Sequence, residues 1–599
     1  MKAAPRIALI AVHLEPGPDA VPLGAACVAS ALKAAFPEHP AGRLCAPPGM
    51  SVSLLETFAA DGAAAIINTT KSAQAGSTPF SALGFSLYSW NRSLMVEAAE
   101  LLRSEQPELF FFCGGPDATA LPAGLSAAEG GPFDAVIRGD GEAAAVQVLG
   151  ERFFGVDGDV AADKDIAQDG QIDIGSKSDS VKGLPVSNSF DRLPSPWLDG
   201  TLNPEDRQGA LWELARGCPY SCAYCYESKG FKESHGFDES KGAKRVRCIA
   251  DERLLAELRL FVKARTPYIF VLDPTFNTDN QRVIKILDMI EQESGNLTGR
   301  NDPPKTHWHF EVRGELLTRE QARRFARLGA SLQIGLQTAD PKVAGLVGRG
   351  FNRGRFVSGL NHLNRAGAAF GLDLIYGLPG DSLSGFRRSL DFALSLYPNN
   401  LDLFRLAVLP GTALADKAAE FGLQANPNAP YLMQSTPQFS ATDLEKAERL
   451  SKAADCFYNC GRAVAWFNQV LYPLRIKPAA FLEGFADYAE SAGFLPDGMD
   501  RPDNSAAIEK QQLLYLEKMY RKSKKDALLP AVRDIVRYHG AWGRALAENS
   551  ITEIEFTYHP DEVLGEAAMD LEAFAAAARP NPIRARVKPG DGGAVIEFA

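Results

Sequence analysis

The chain has no run of about 18 or more uninterrupted apolar residues, so no membrane-spanning helix is expected. It has no long basic run either. Net charge is −11, and the one local patch, residues 241–247 (KGAKRVR), is too short to mark a nucleic-acid surface, so a nucleic acid is not among the expected partners. A disulfide framework is missing too: nine cysteines is an odd count, and apart from one close triad they are scattered. Residues 1–10 run directly into a strand-like stretch without a signal-peptide cleavage pattern, and the protein is expected in the cytoplasm. Neither the dinucleotide fingerprint G-x-G-x-x-G nor a P-loop is present. At 599 residues the chain is too long for one core, and about three domains are expected.

What is there begins with the triad. Cys218, Cys222 and Cys225 stand at C-x3-C-x2-C spacing, just after an apolar run, residues 211–215 (LWELA), that reads as a short strand. Thiolates hold iron–sulfur clusters, and a full protein set for a four-iron cluster is four of them. Three on one loop leave one iron open, as a catalytic metal site requires and a closed structural one does not. A structural zinc site is the other reading, with Cys248 and His235 as candidates for its fourth ligand.

Residues 1–155 alternate strand and helix. Residues 6–12 (RIALIAV), 63–69 (AAAIINT), 83–89 (LGFSLYS), 109–113 and 134–138 read as strands, and 23–36, 92–103 and 142–153 as helices. This is the pattern of an α/β, doubly wound, Rossmann-like domain, with its ligand at the carboxyl ends of the strands. The loops there are Gly114-Gly115-Pro116, with Thr119 a little later, and Gly139-Asp140-Gly141-Glu142. Residues 156–205 are rich in Asp, Gly, Ser and Lys and read as a linker, with a small hairpin around Asp169-Gly170.

Residues 206–420 alternate again. The strand runs are 211–215, 268–272, 307–312, 331–337, 371–376 and 401–409. Helical patterns lie between them at 251–265, 279–293, 318–328, 353–366 and 383–397. Thr318 and Gln321 have capping-box spacing, and Asp340-Pro341 fits a helix start. Six such repeats predict a partial (β/α)6 barrel, whose catalytic residues sit on loops at the strands' C-terminal ends, where the cysteine loop falls. Residues 421–599 read as a mostly helical C-terminal domain opening at Thr442-Asp443-Leu444-Glu445, with one strand-like run, 551–558. Residues 580–593 read as loosely structured. Cys456 and Cys460 read as buried thiols, with a redox or metal pair as the alternative. Phe457, Tyr458, Trp466, Phe467 and Tyr472 read as core.

The cysteine spacing resembles the signature of the radical S-adenosylmethionine (SAM) superfamily. Pro22-Leu23-Gly24, residues 84–91 (GFSLYSWN), Cys113-Gly114-Gly115-Pro116 and Arg138-Gly139-Asp140-Gly141-Glu142 resemble the cobalamin-binding (B12-binding) domain that precedes many radical SAM domains. The whole chain thus resembles a cobalamin-dependent radical SAM enzyme. That resemblance implies a 4Fe-4S cluster on Cys218, Cys222 and Cys225. It implies SAM contacts at Tyr224, Asp273, Thr275, Glu311, Arg313, Gln337, Asp373 and Tyr376, with Arg313 meeting a carboxylate. It implies cobalamin contacts at Ser86, Tyr88, Gly114, Gly115, Thr119, Arg138, Gly139, Gly141 and Glu142. The D-x-H-x-x-G motif is absent, and His13 and His39 lack its context, so the resemblance implies no histidine from this domain on the cobalt. The implied activity is methylation of an unactivated carbon, or of phosphorus, in a small molecule or peptide, fed by an electron donor such as flavodoxin or ferredoxin. The cofactors carry the difficult chemistry. Rearrangement, cyclisation or ring contraction without methyl transfer is a second reading, and a non-catalytic cobalamin- or cluster-binding regulator a third.

Overall fold

A computed structural model describes residues 4–37, 49–75, 77–155, 170–174, 181–182, 190–227, 246–295, 306–494, 504–590 and 593–598, with backbone alone at 170–174, 181–182 and 191. Most of the expected linker, with Asp169, lies outside the described residues, as do His39, His235 and residues 241–245 of the basic patch.

The first sheet is built on β1 (Arg6–His13), whose apolar run is buried on both faces. Ile7, Leu9 and Ala11 pack toward the helices Leu23–Ala35 and Gly141–Phe154, while Ala8, Ile10 and Val12 pack toward Gly62–Gln74 and Arg92–Glu105. Coverage on both sides explains why these strands read as continuous apolar runs. The other strands are β2 (Ser51–Phe58), β3 (Ala82–Ser86), β4 (Phe110–Gly114), β5 (Ala135–Gly139), β6 (Gly170–Ile174) and β7 (Val181–Lys182), in the order β2-β1-β3-β4-β5-β6-β7. The first five are parallel; β6 and β7 add as an antiparallel hairpin, C-terminal to the predicted turn. The order reverses between β1 and β3, which opens a ligand crevice at their carboxyl ends.

Two expectations are corrected here. Residues 63–69 are not a strand but the start of helix Gly62–Gln74, in keeping with three consecutive alanines. The strand at that place in the topology is Ser51–Phe58, an edge strand left largely half-buried, whose mixed polar and apolar residues hide it.

The second sheet is a six-stranded parallel open barrel, in the order β15-β14-β13-β12-β11-β8. Its strands are β8 (Ala210–Trp212), β11 (Tyr268–Val271), β12 (His307–Val312), β13 (Ser331–Gln337), β14 (Ala369–Tyr376) and β15 (Asn400–Arg405). Trp308, Phe310 and Val312 are buried toward the helices; His307, His309 and Glu311 alternate with them and face the lumen. Residues 211–215 are not one strand. The chain leaves the sheet after Trp212, and β9 (Ala215–Arg216) pairs antiparallel with β10 (Arg247–Cys248) as a ribbon closing the base of the cysteine segment. The strand expected over 401–409 stops at Arg405.

Thr318 caps helix Arg319–Leu328 by accepting from the Gln321 N–H, and Asp340 caps Pro341–Leu346. The cap of Ala441–Ala454 is Ser440, not Thr442: its hydroxyl accepts from the Asp443 N–H. The strands β16 (Gln424–Ala425) and β17 (Met433–Ser435) lead into these C-terminal helices. Phe457 is fully buried among Trp466, Phe467, Phe481 and Phe485, whereas Tyr472, expected in the core, is 72% exposed. Residues 580–593 are not loose. β18 (Thr552–Phe556), β19 (Ile583–Gly590) and β20 (Gly593–Phe598) form an antiparallel sheet on helix Leu529–Ala547. The largest apolar core runs from helix Leu23–Ala35 of the first sheet through the barrel to the C-terminal helices. No helix among the described residues is long and apolar enough to cross a membrane.

Candidate active site

The cysteine loop leaves β9 through Gly217 and lies against the rim of the barrel. Its backbone is held from two sides: the Ala223 N–H donates to Val347 O (2.8 Å), and Ala223 O accepts from the Leu414 N–H (2.8 Å). Gly348 has φ +67°, and a Cβ there would stand 2.5 Å from Ser221 O, so the close approach needs glycine. Cys222 is buried, while Cys218 and Cys225 are partly exposed. Cys218 Sγ lies 3.8 Å from Thr275 Oγ1, and Cys222 Sγ lies 3.9 Å from Nη1 of the buried Arg349. A neighbouring cation favours a thiolate. Burial pushes the Cys225 thiol up to about 12, with Cys222 and Cys218 close enough to add to the rise. Among the described residues no three His, Cys, Asp or Glu side chains converge on one point as ligands of a single metal ion would. A four-iron cluster spreads its three thiolates over three irons and makes no such demand.

Behind the loop stands a frame of charged residues. Asp273 is 2% exposed; it accepts from the Leu214 N–H (2.9 Å) and pairs with Arg282 (3.2 Å), which itself donates to Leu214 O (2.9 Å). Both of its oxygens are engaged by protein groups, which ties Asp273, expected at SAM, to the start of the cysteine segment. Arg313 is also engaged. Its guanidinium stacks 3.8 Å from the Tyr220 ring centre, donates to Gly350 O (2.8 Å) and lies 3.6 Å from Glu315. Its backbone is clamped by Asn277, which accepts from the Arg313 N–H (2.8 Å) and donates to Arg313 O (3.0 Å). Arg349, Asn277, Arg282 and Glu315 were not among the expected site residues. Each comes from a loop or helix start remote in sequence from the cysteines.

Toward the lumen stand Glu311 on β12 and Asp373 on β14, with β13 between their strands. Glu311 is open to the lumen yet walled in by protein, which lifts its carboxyl to about 7, with Asp373 adding to the rise. Burial likewise lifts Asp373 to about 6, against a lowering hydrogen bond from Gln333. Gln333 also donates to Asp402 (3.0 Å). Gln337 ends β13 at a register shift with φ +67°, a strained backbone for a residue other than glycine, and its buried Oε1 has no partner among the described residues. Tyr376 does not join this group. Its ring packs on Phe386 outside the barrel, and its carbonyl accepts from the Leu406 N–H (3.0 Å). Tyr224 packs beside Cys222 and Arg349 and stays a neutral phenol through burial.

On the first sheet, the loops after β3 and β4 are joined by Leu87 N–H to Gly114 O (2.8 Å). Gly115 has φ +109°, and a Cβ there would lie 2.5 Å from Leu87 O. Gly115→Ala is expected to destabilise this domain by about 1–3 kcal/mol, through strain and steric overlap; chemical denaturation monitored alongside cobalamin binding checks it. Beside these loops, at the order reversal, a cavity of about 220 Å³ is lined by His13, Val21, Ser86, Tyr88 and Trp90 among others. The Tyr88 ring stacks on Trp90 at 5.9 Å. Thr119, expected at the ligand, spends its hydroxyl on protein: it donates to Gly115 O (2.9 Å) and accepts from the Gly139 N–H (3.0 Å). Glu142, also expected at the ligand, is 5% exposed and pairs with Arg216 (2.7 Å). Arg138, Gly139 and Gly141 remain at the rim around it.

At the opposite edge Glu56 takes Arg207 from the barrel side (2.6 Å) and His13 (2.8 Å). Burial opposes ionisation of Glu56, but hydrogen bonds from His13 and Arg207 and their charges outweigh it and hold the carboxyl at about 2 in place of 4.5. The folded value is depressed, so its stabilisation is complete above pH 4.5 and is lost as pH falls toward 2. Glu56→Gln is expected to cost about 2 kcal/mol at neutral pH, after allowance for partial exposure, and nearly nothing at the acid end. Urea unfolding at several pH values reads the difference.

Residues 212–393 match the family model described as the radical SAM superfamily, and residues 10–149 match that of the B12 binding domain. The 2-(S-pantetheinyl)-carbapenam-3-carboxylate methyltransferase of Streptantibioticus cattleyicolor is 29% identical over 171 residues, 27% of this chain and 24% of that one. The cobalamin-dependent radical SAM methyltransferase TokK of Streptomyces tokunonensis is 25% identical over 383 residues, 61% of this chain and 52% of TokK. The matched parts thus span about a quarter and about half of those curated relatives. Among solved structures, the radical SAM methyltransferase TsrM of Kitasatospora setae, with cobalamin and a 4Fe-4S cluster bound, superposes with a TM-score of 0.55. It covers 87% of this chain and 99% of TsrM at 14% identity, a likeness of fold.

Proposed function

A chain that joins a B12-binding domain to a radical SAM domain is, we propose, a cobalamin-dependent methyltransferase that acts on an unactivated carbon, or on phosphorus, of a small molecule or peptide. One observation supports the reading: Arg216, at the start of the cysteine segment, pairs with Glu142 of the loop after β5 in the first domain, so the residues expected to hold the cluster lie beside those expected to hold cobalamin. When bound, the cluster supplies the electron that cleaves SAM, and cobalamin carries the methyl group.

The residues present fit these groups. Cys218, Cys222 and Cys225 would hold the cluster, with Arg349 offsetting thiolate charge beside Cys222. Glu311 and Asp373 would accept hydrogen bonds from SAM hydroxyl or amino groups at the lumen side, and Gln337 Oε1, which has no partner among the described residues, would take another. Thr275 and Tyr224 lie against the thiols and would border SAM. Arg313 would act at one remove, by orienting Tyr220. Ser86, Tyr88, Gly114, Gly115, Arg138, Gly139 and Gly141 would line the cobalamin rim, and the crevice between β1 and β3 gives it depth. A small electron donor such as flavodoxin or ferredoxin would supply reducing equivalents.

The test uses anaerobic protein loaded with iron, sulfide and cobalamin, given reductant and SAM carrying a labelled methyl group. Label on cobalamin together with 5′-deoxyadenosine is the expected result. Absence of label on fully loaded protein overturns the methyltransferase reading; 5′-deoxyadenosine without label moves it to the rearrangement class.

A further inference from the structure

The cysteine loop starts from a residue tied to the first domain, and its far end lies against that domain. Arg216, two residues before Cys218, has its side chain 15% exposed and meets three carboxylates: Glu142 (2.7 Å), Glu213 (2.8 Å) and Asp140 (3.6 Å). Its guanidinium also lies 4.6 Å from the Phe190 ring centre. Across the ribbon, Arg247 stands opposite Arg216 and pairs with Asp140 at 2.7 Å. Two arginines facing each other on paired strands repel, and Asp140, from the first domain, offsets that repulsion by lying near both. At the loop's far end Tyr226, next to Cys225, lies beside Thr119, which bridges the Gly115 and Gly139 loops. Buried ion pairs are a costly way to make an interface sticky, because apolar residues do as well. A forked guanidinium held by several carboxylates does something apolar packing does not: it fixes orientation.

We propose that Arg216, with Arg247, Asp140 and Glu142, is a latch that sets the placement of the cysteine loop relative to the cobalamin-binding loop, and that Arg216 is a positioning residue and not a cofactor ligand. The proposal rests on the reading that this protein binds both a 4Fe-4S cluster and cobalamin. Removing one partner leaves buried charge unpaired, so the two loops separate locally while each retains its own cofactor residues.

The experiment takes the full-length protein loaded with both cofactors and compares wild type, Arg216→Gln, Arg216→Lys and Glu142→Gln. Iron content and cobalamin binding are measured first. The magnetic broadening of the cob(II)alamin electron paramagnetic resonance signal by the reduced cluster is measured second, because it falls steeply with separation. Both glutamine variants are expected to load like wild type yet lose most of the broadening, and Arg216→Lys to regain part of it. Wild-type broadening in both glutamine variants overturns the latch. Loss of cobalamin binding with iron intact overturns it too, since the residues would then serve the cofactor itself. If Arg216→Gln fails to take up iron, Glu142→Gln, which leaves the cysteine segment untouched, decides alone. Failure of the wild type to bind either cofactor refutes the underlying reading instead.

Discussion

Alanine in place of Cys222 is expected to leave the chain folded but without a 4Fe-4S cluster, and to abolish 5′-deoxyadenosine formation from SAM. If the three thiolates are the protein's contribution to the cluster, as proposed, losing one uncovers a second iron. Cys222 is also the most enclosed of the three, at 8% exposure, with the buried Arg349 beside its sulfur. A small side-chain truncation there removes little packing, so far-ultraviolet circular dichroism should match wild type while iron analysis reads near zero. Full iron in Cys222→Ala would refute the assignment. Arg349→Gln is the graded companion. It keeps all three thiols and removes only the adjacent cation, and partners at that distance from a metal ligand usually matter by about 10- to 100-fold. SAM cleavage slowed by that factor, with iron retained, is the expected outcome.

The parts of this molecule that are legible in its sequence are those written locally. Parallel strands buried on both faces announce themselves as apolar runs, and the barrel's six repeats can be counted because helix and strand periods alternate cleanly. The cysteine loop is legible because all three thiols lie within eight residues of one another. What stays hidden is written at long range. The segment Ile583–Gly590 looks loose because prolines and glycines surround it, yet Arg584 and Arg586 stand opposite Glu555 and Glu553 of β18, while Ala585 and Val587 turn inward. Opposite charges in register stabilise such a pair, but the register is not visible from either strand alone. Arg349 and Asn277 are hidden for the same reason: the barrel brings Arg349 to Cys222 and Asn277 to Arg313 from segments distant in sequence. Thr119 and Glu142 lie on the expected rim, but sequence shows neither which way a side chain faces nor that the second domain supplies Arg216 as a partner for Glu142.

Asp273 gives this distinction an experimental form. A SAM contact at that position would predict that Asp273→Ala weakens SAM binding in a stable protein. The structure predicts the reverse. Truncation leaves the Leu214 N–H without its acceptor and Arg282 without its counter-ion, in a place where the carboxylate was 2% exposed. Breaking a buried pair in this way costs about 3–5 kcal/mol, and the low end applies because Arg282 retains part of its exposure. Asp273→Asn, which still offers the Leu214 N–H an acceptor, should cost about half as much. The wild type carries its own pH signature. Burial raises the Asp273 carboxyl from 3.8 to about 6, against the lowering by Arg282. The folded state therefore holds this proton more tightly than the unfolded chain, and that proton-linked part of the stability is full below pH 3.8 and lost as pH rises through about 6, a dependence that Asp273→Asn lacks. Urea unfolding of both variants between pH 4 and pH 7 measures each part. Unchanged stability with lost SAM affinity would return Asp273 to the cofactor; lost stability with SAM affinity preserved in the folded fraction places it beneath the cysteine loop, holding Leu214 and thereby the strand from which the loop departs.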